Sequence, residues 1–295
     1  MKLKNVESFW NSNPCGSLHE EDKYINQSKI PLYADFESYK GKKVLEVGCG
    51  VGVDGIQFAK VGAFYTGVDL TEAGIRITQE RFNLSNQTGI LRKANAEDLP
   101  FSDGSFDHVY SFGVIHHSPH PERIVDEIYR VLKPGGTATI MLYNKTSFYY
   151  LIEVKIIRKL FFSICHKENL CRKMFALFGK QKTLRFETFR EKLAKMKAIN
   201  KAPTNDEWVS MNTDDVFCPI ARVYSRRDAR KLFHKFNSFK TSVWFIDKDH
   251  WFLWLTFSRI IPLFIEKWLE RNLGWFRMIQ VKKTGSGRFR GVYSH

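Results

Sequence analysis

Val44, Leu45 and Val47 crowd into a short apolar run with β-branched members, and then the pattern breaks. Gly48, Gly50 and Gly52 follow at every second position, after which Val53, Ile56, Phe58 and Ala59 resume at helical spacing. This predicts a strand buried on both faces of a parallel sheet, a glycine turn and a helix. The alternation continues. FYTGVDL reads as a second strand ending in Asp69, and TEAGIRITQERF as a helix capped by Thr71 with Ile75, Ile77 and Phe82 along it. Thr88 to Ala94 gives a third strand and Phe106 to Phe112 a fourth. A helix with Ile124, Val125, Ile128 and Leu132 on one face comes next, then a Pro134-Gly135-Gly136 turn and a fifth strand. Strand and helix alternating over Lys42 to Tyr143 predict a parallel, doubly wound α/β sheet.

The flanks follow other patterns. Residues 1–40 hold Phe9, Trp10, Tyr24 and Tyr33 and a predicted helix through Ile25 and Tyr39, broken near Pro31. So many aromatics predict a segment that packs, either as a helical lid or along the core edge, with Trp10, Tyr24 and Tyr33 as candidates to meet a substrate. Residues 145–223 read as basic amphipathic helices interrupted near Pro203, an insertion after strand five. Residues 224–284 resume the core and end it with FRMIQVKK, and residues 285–295 read as a tail. Within them, Trp251 to Arg271 is the most aromatic stretch. Arg259, Pro262, Glu266 and Lys267 interrupt it, so it falls well short of the ~20 apolar residues a membrane span needs. On a helical wheel Arg259, Glu266, Lys267 and Glu270 gather on one side, leaving an apolar arc with Trp251, Trp254, Phe257, Phe264 and Trp268. That arc suits the wall of a hydrophobic pocket, a peripheral contact with a bilayer interface, or a contact between copies in an oligomer.

Charge sharpens the division between the halves. The net charge is +15, yet the chain up to Tyr143 has 15 Lys and Arg against 18 Asp and Glu, so the excess lies beyond it. Such a field draws nucleic acid, an anionic membrane or an anionic substrate, and solvated helix faces account for it equally well. The five cysteines form no CxxC pair, and no apolar leader opens the chain. A reduced, cytoplasmic protein without structural zinc is expected, one that can still meet a membrane peripherally.

The glycine turn carries the candidate chemistry. Glycine is wanted where the chain reverses with positive φ, and a missing Cβ lets a ligand lie against the backbone, with free N–H groups of the turn and helix start facing it. A dinucleotide fingerprint anchored on Gly48 and Gly50 needs its third small residue at position 53, which is valine. Here the third glycine is Gly52, and Glu46 stands two residues before the first. ExGxGxG resembles the first motif of class I S-adenosylmethionine (SAM)-dependent methyltransferases. The strand-end acid Asp69 and the segments EDLPF, SFDxV and VLKPGG carry the same resemblance through to Tyr143.

The resemblance implies a mostly parallel, seven-stranded, Rossmann-like methyltransferase sheet whose last strand is antiparallel. One helical insertion follows strand five and an aromatic one precedes the last strand. It implies SAM as methyl donor, leaving as S-adenosylhomocysteine (SAH), and no metal. Glu46 would orient the loop and the donor's amino group, directly or through water. Gly48, Cys49, Gly50 and Gly52 would lie along its methionine part, Asp69 and Leu70 at its ribose, and Asn95, Ala96 and Glu97 beside its adenine. Ser111 and Phe112 would stand at the carboxyl end of strand four, where open α/β sheets present ligands. Asn95 departs from the usual aspartate but still offers a carbonyl acceptor, and Glu97 reads first as a helix-start charge. In related enzymes with a similar I-H-H or I-H-L segment, the histidine matching His116 acts on the acceptor, so His116 and His117 are candidate bases, against a structural role for both.

Three functions remain open from sequence. The first is methylation of a small, lipophilic or anionic acceptor. The second is methylation of nucleic acid, supported only by the basic insertion and opposed by SFGV where an NPPY-like tetrapeptide would stand. The third is a SAM-binding adaptor that does not turn over.

Overall fold

Apolar residues that recur at short intervals between Lys43 and Asn144 form the strands of one sheet in the computed structural model, which describes residues 3–14, 20–160, 194, 204–214, 218–245 and 262–285. The helices expected between 161 and 203, the first part of the 251–271 stretch, and the tail lie outside the described residues.

Two compact units divide the chain. The first comprises Met1–Leu142, Arg226–Ser242 and Met278–His295, and the second Tyr143–Ser225 and Val243–Arg277. In the first unit β1 (Lys43–Val47) is the switch point of the sheet. It pairs in parallel with β2 (Phe64–Asp69) on one side and with β4 (Phe106–Phe112) on the other. Its Val44, Leu45 and Val47 are fully buried, as a strand covered on both faces requires. β3 (Ile90–Lys93) lies beyond β2, and β5 (Leu132–Asn144) beyond β4, again in parallel. With β7 (Ser238–Trp244) and β8 (Phe276–Lys282) the strand order is β3-β2-β1-β4-β5-β8-β7. The helices of this unit are α1 (Leu3–Ser12), α2 (Glu20–Asn26), α3 (Ile30–Ala34), α4 (Val53–Lys60), α5 (Glu72–Leu84) and α6 (Pro121–Val131), with α8 (Arg226–Leu232) from the later stretch.

Between β1 and the glycine-loop helix α4 the core is aromatic. Phe58 meets Phe36 and Tyr110 edge to face, and His108 stacks on Tyr39 at 4.0 Å. His108 Nδ1 lies 2.8 Å from Thr137 Oγ1, and burial pulls its pKa to about 3, so it packs as a neutral ring.

In the second unit, α7 (Asn205–Thr213) begins with a capping box between Thr204 and Glu207. Its Trp208 donates from Nε1 to the Val154 carbonyl, and the buried Arg277 donates to the Tyr224 carbonyl and Asn144 Oδ1. α9 (Leu263–Leu273) belongs to this unit.

The structure departs from expectation at four places. Among the described residues there are eight strands rather than seven, because β6 (Val223–Tyr224) adds a two-residue parallel pairing with Tyr143 and Asn144. Pro134-Gly135-Gly136 does not precede β5 but lies inside it. Phe106 pairs with Leu132 and His108 with Thr137, so the extra residues bulge outward at the one stretch where glycines and a proline tolerate it. The helix expected through Ile25 and Tyr39 is broken just before Pro31, between α2 and α3, but α3 ends at Ala34; Pro31 sits in its first turn, which has no use for the missing N–H. Tyr149–Ile157 winds as a π-helix where an ordinary amphipathic helix is expected.

Candidate functional site

β1 ends and α4 begins across a loop whose three glycines all have positive φ: 78° at Gly48, 53° at Gly50 and 78° at Gly52. A Cβ on Gly48 would fall 2.2 Å from Val114, and one on Gly52 would fall 2.7 Å from Thr78, so close packing as well as backbone conformation demands glycine. The loop is held from within. The N–H groups of Gly48 and Cys49 both donate to the Val68 carbonyl, Gly52 donates to the Cys49 carbonyl, and Thr78 Oγ1 donates to the Gly50 carbonyl. The expectation that the free N–H groups of the turn face a ligand is corrected for Gly48, Cys49 and Gly52, whose N–H groups bond within the fold. Cys49 is part of this packing, buried with Thr78 Oγ1 3.8 Å from its sulfur, and burial pushes its thiol pKa well up.

Asp69 ends β2 beside the loop and is half-buried. Its Oδ2 accepts from Gly50 N–H at 2.9 Å, and its Oδ1 from Thr71 N–H at 2.9 Å and the Thr71 hydroxyl at 2.7 Å. A carboxylate has about four acceptor directions, so Oδ2 keeps one open. Leu70 follows, also half-buried, and Thr71 caps α5 by accepting from Gly74 N–H. Past β3, Asn95 Oδ1 accepts from Glu97 N–H, with Asn95, Ala96 and Glu97 all half-buried. Glu97 is tied to the loop after β4, because the Ser118 hydroxyl donates to its carboxylate at 2.6 Å. At the end of β4, Ser111 is fully buried and donates to the Val47 carbonyl, while Phe112 is half-buried. Ser111 thus ties β4 to β1.

Glu46 is buried beneath α4. The Tyr65 hydroxyl donates to its Oε2 at 2.6 Å, and a Cβ on Gly55 would come within 3.0 Å of the same oxygen. Burial, with repulsion from Asp54 added, pushes its pKa up to about 8.

Asp54 was not anticipated from the sequence, where an acid in the first turn of a helix reads as a dipole partner. It is buried, and three donors converge on it: Lys23 Nζ at 2.7 Å, the Tyr24 hydroxyl at 2.8 Å and the Tyr110 hydroxyl at 2.9 Å. Lys23 also lies over the Phe112 ring, 5.4 Å from its centre. The N-terminal segment is thereby pinned to the start of α4. Trp10 packs edge to face on His117, ring centres 5.0 Å apart, while Lys93 pairs with Glu7 and Asn11 accepts from Ala73 N–H. Tyr33 goes elsewhere, its hydroxyl accepting from Ser242 on β7. The site residues thus gather around the ends of β1, β2 and β4, with Trp10 and Tyr24 above them.

His116 and His117 form a short 3₁₀ turn after β4 with ring centres 4.3 Å apart. His116 is fully buried, and burial, followed by its neighbour's charge, pulls its pKa well down; His117 is buried but 5% exposed.

The glycine loop stands at the switch point of a doubly wound sheet, with a carboxylate one strand over, at the place where open α/β sheets present ligands. Residues 45–140 match the family described as Methyltransferase domain. That match takes in about a third of the chain, the part that carries the glycine loop, Asp69 and β4. The chain is 40% identical over 116 residues to phthiotriol/phenolphthiotriol dimycocerosates methyltransferase 1 of Mycobacterium ulcerans, covering 38% of this chain and 42% of that protein. It is 37% identical over 128 residues to a fatty-acid O-methyltransferase of Mycolicibacterium smegmatis, covering 42% and 46%. The matched stretches thus span less than half the length of these curated relatives. Among solved structures, magnesium protoporphyrin IX methyltransferase of Synechocystis with bound SAH shares the fold at a TM-score of 0.56 and 12% identity, over 96% of this chain and 100% of that one.

Proposed function

We propose that the chain transfers a methyl group from SAM to a small lipophilic acceptor. The observation that carries the reading is the Gly48–Gly52 loop fixed against Asp69, whose carboxylate keeps one acceptor direction for the sugar of a nucleoside. The named activities of the two curated relatives, on phthiotriol-type and fatty-acid substrates, favour a lipophilic acceptor over nucleic acid.

The residues fit the donor as follows. Asp69 accepts from a ribose hydroxyl through the open direction of Oδ2, and Leu70 lies beside the sugar. The half-buried Asn95, Ala96, Glu97 and Phe112 border the adenine, and the loop backs the methionine part. Glu46 acts from beneath, through the loop and water. SAM supplies a methyl on a sulfonium, so the acceptor's lone pair forms the new bond to carbon as the carbon–sulfur bond breaks and SAH departs. The protein's part is alignment, which recovers up to ~7 to 11 kcal/mol in favourable intramolecular cases. Where the acceptor carries a hydroxyl or carboxyl proton, His117 takes it, being the member of the histidine pair that reaches the Trp10 side, while His116 stays neutral behind it. Trp10 and Tyr24 close the site from above.

Asp69→Ala is expected to weaken SAM by roughly 1.5 to 3 kcal/mol, the range for a hydrogen bond to a charged group. Calorimetry giving an unchanged affinity removes Asp69 from the donor site. Incubation with methyl-labelled SAM and fractionated cell extract should carry label into the lipid pool and leave nucleic acid unlabelled. In the same assay His117→Ala should cut turnover far more than donor affinity, and an equal loss of both counts against a base there.

A further inference from the structure

In α9, none of the eleven residues is buried. Side chains four apart share a face of a helix, and the pairs divide sharply. Phe264 and Trp268 form one exposed stripe, 72% and 57% exposed, and Leu263, at 62%, continues into the exposed Lys267 and Arg271 beside it. Glu266 and Glu270 form the opposite stripe, and both are half-buried. The helix is neutral in composition, yet the face it turns to solvent is aromatic and cationic and carries no carboxylate. Lys267 borders the acids, as the helical wheel has it, but is exposed where they are half-buried.

The same mixture recurs elsewhere in the second unit. Leu151, Ile156 and Leu160 are exposed large hydrophobics, and Lys155 and Lys159 are exposed beside them in sequence. Among the described residues no helix is long and apolar enough to cross a membrane.

We infer that the Phe264, Lys267, Trp268 and Arg271 face of α9 docks on an anionic phospholipid surface, with α9 lying in the plane of the interface. Indole and phenyl rings enter the boundary between headgroups and acyl chains, while the lysine and arginine between them meet lipid phosphates. The charge is complementary: acids are withdrawn to the half-buried side, and the chain beyond Tyr143 holds the whole positive excess. Nucleic acid fits less well, since exposed Leu263 and Phe264 offer phosphates nothing and only two cations share the face. The inference goes beyond the proposed function and does not depend on it.

The experiment is flotation of the full chain with phosphatidylcholine vesicles, with and without phosphatidylglycerol. The parent should float with the anionic vesicles and be released by salt. Phe264→Ser with Trp268→Ser should weaken binding roughly tenfold or more, through loss of apolar insertion. Lys267→Gln and Arg271→Gln should each weaken it roughly fivefold on anionic vesicles and have no effect on neutral ones. These positions are exposed, and circular dichroism checks that each variant is folded. No flotation by the parent overturns the inference, as does flotation unaffected by the aromatic substitutions. Binding of transfer RNA without vesicles, or a concentration-dependent dimer lost in the same variants without vesicles, also overturns it and assigns the face to that partner. Calorimetric titration of SAH into the same preparations separates the two readings. SAH binding without flotation removes the membrane contact alone, and flotation without SAH binding removes the methyltransferase reading alone.

Discussion

Glu46, proposed to orient the donor, makes stability depend on pH. Unfolded, its carboxyl titrates near 4.5; folded, burial and Asp54 move it to about 8. Between those values the unfolded chain has released a proton that the folded chain keeps. Stability therefore falls as pH rises through this window, and the loss is complete only above about 8. The steepest slope is about 1.4 kcal/mol per pH unit. Glu46→Gln keeps the acceptor for the Tyr65 hydroxyl and has nothing to titrate. The variant is expected to match the parent near pH 4.5 and to exceed it by a few kcal/mol near pH 8 in urea denaturation without ligand. A parallel pair of stability profiles would show that the buried carboxyl is not the source. Glutamate at this position is recognisable in sequence from its place before the glycines. Its burial beneath α4 is not, because Tyr65 and Gly55, which define its surroundings, look in the sequence like an ordinary strand residue and an ordinary helix residue.

At the scale of elements, α2 is held by one buried cluster. Lys23 and Tyr24 reach Asp54 from more than twenty residues away in sequence, and Tyr110 reaches it from β4. A buried carboxylate persists only with such partners, and removing one side of a buried ion pair costs roughly 3 to 5 kcal/mol. Because Lys23 keeps 17% of its side-chain surface in solvent, the lower end applies. Asp54→Asn should therefore lose about 3 kcal/mol of stability. It should also open the first forty residues to limited proteolysis, which mass spectrometry of the fragments reads. Unchanged cleavage would mean that the segment is held by its other contacts, such as Lys93 with Glu7. Elements with strong periodicity were legible: β4 occupies the stretch that its apolar spacing predicts, and so does α6 except for Leu132, which opens β5. The cluster on Asp54 was not, because no local pattern says which lysine meets which acid across the fold. Nor was the destination of Tyr33, an aromatic in a lid-like segment whose hydroxyl turns to β7.

On the scale of the whole molecule, the sequence signal and the folded object have different extents. The family match lies within residues 45–140, but the sheet is completed by β7, which follows the first stretch of the second unit, and by β8, which follows the last. The strand order places β8 directly beside β5, so a chain ending at Leu142 presents β5 as an open edge. It also loses Phe233, Phe236, Met278, Ile279 and Val281, all buried in the intact protein. Each such side chain contributes about 1.5 to 3 kcal/mol. Their sum is on the order of 10 kcal/mol, comparable with the entire stability of a typical domain at about 5 to 15 kcal/mol. The fragment 1–142 is therefore expected to give no cooperative thermal transition by circular dichroism and no SAH binding by calorimetry, although it holds every residue assigned to the donor site. A fragment that melts cooperatively and binds SAH would show that the motif region is self-sufficient without β7 and β8.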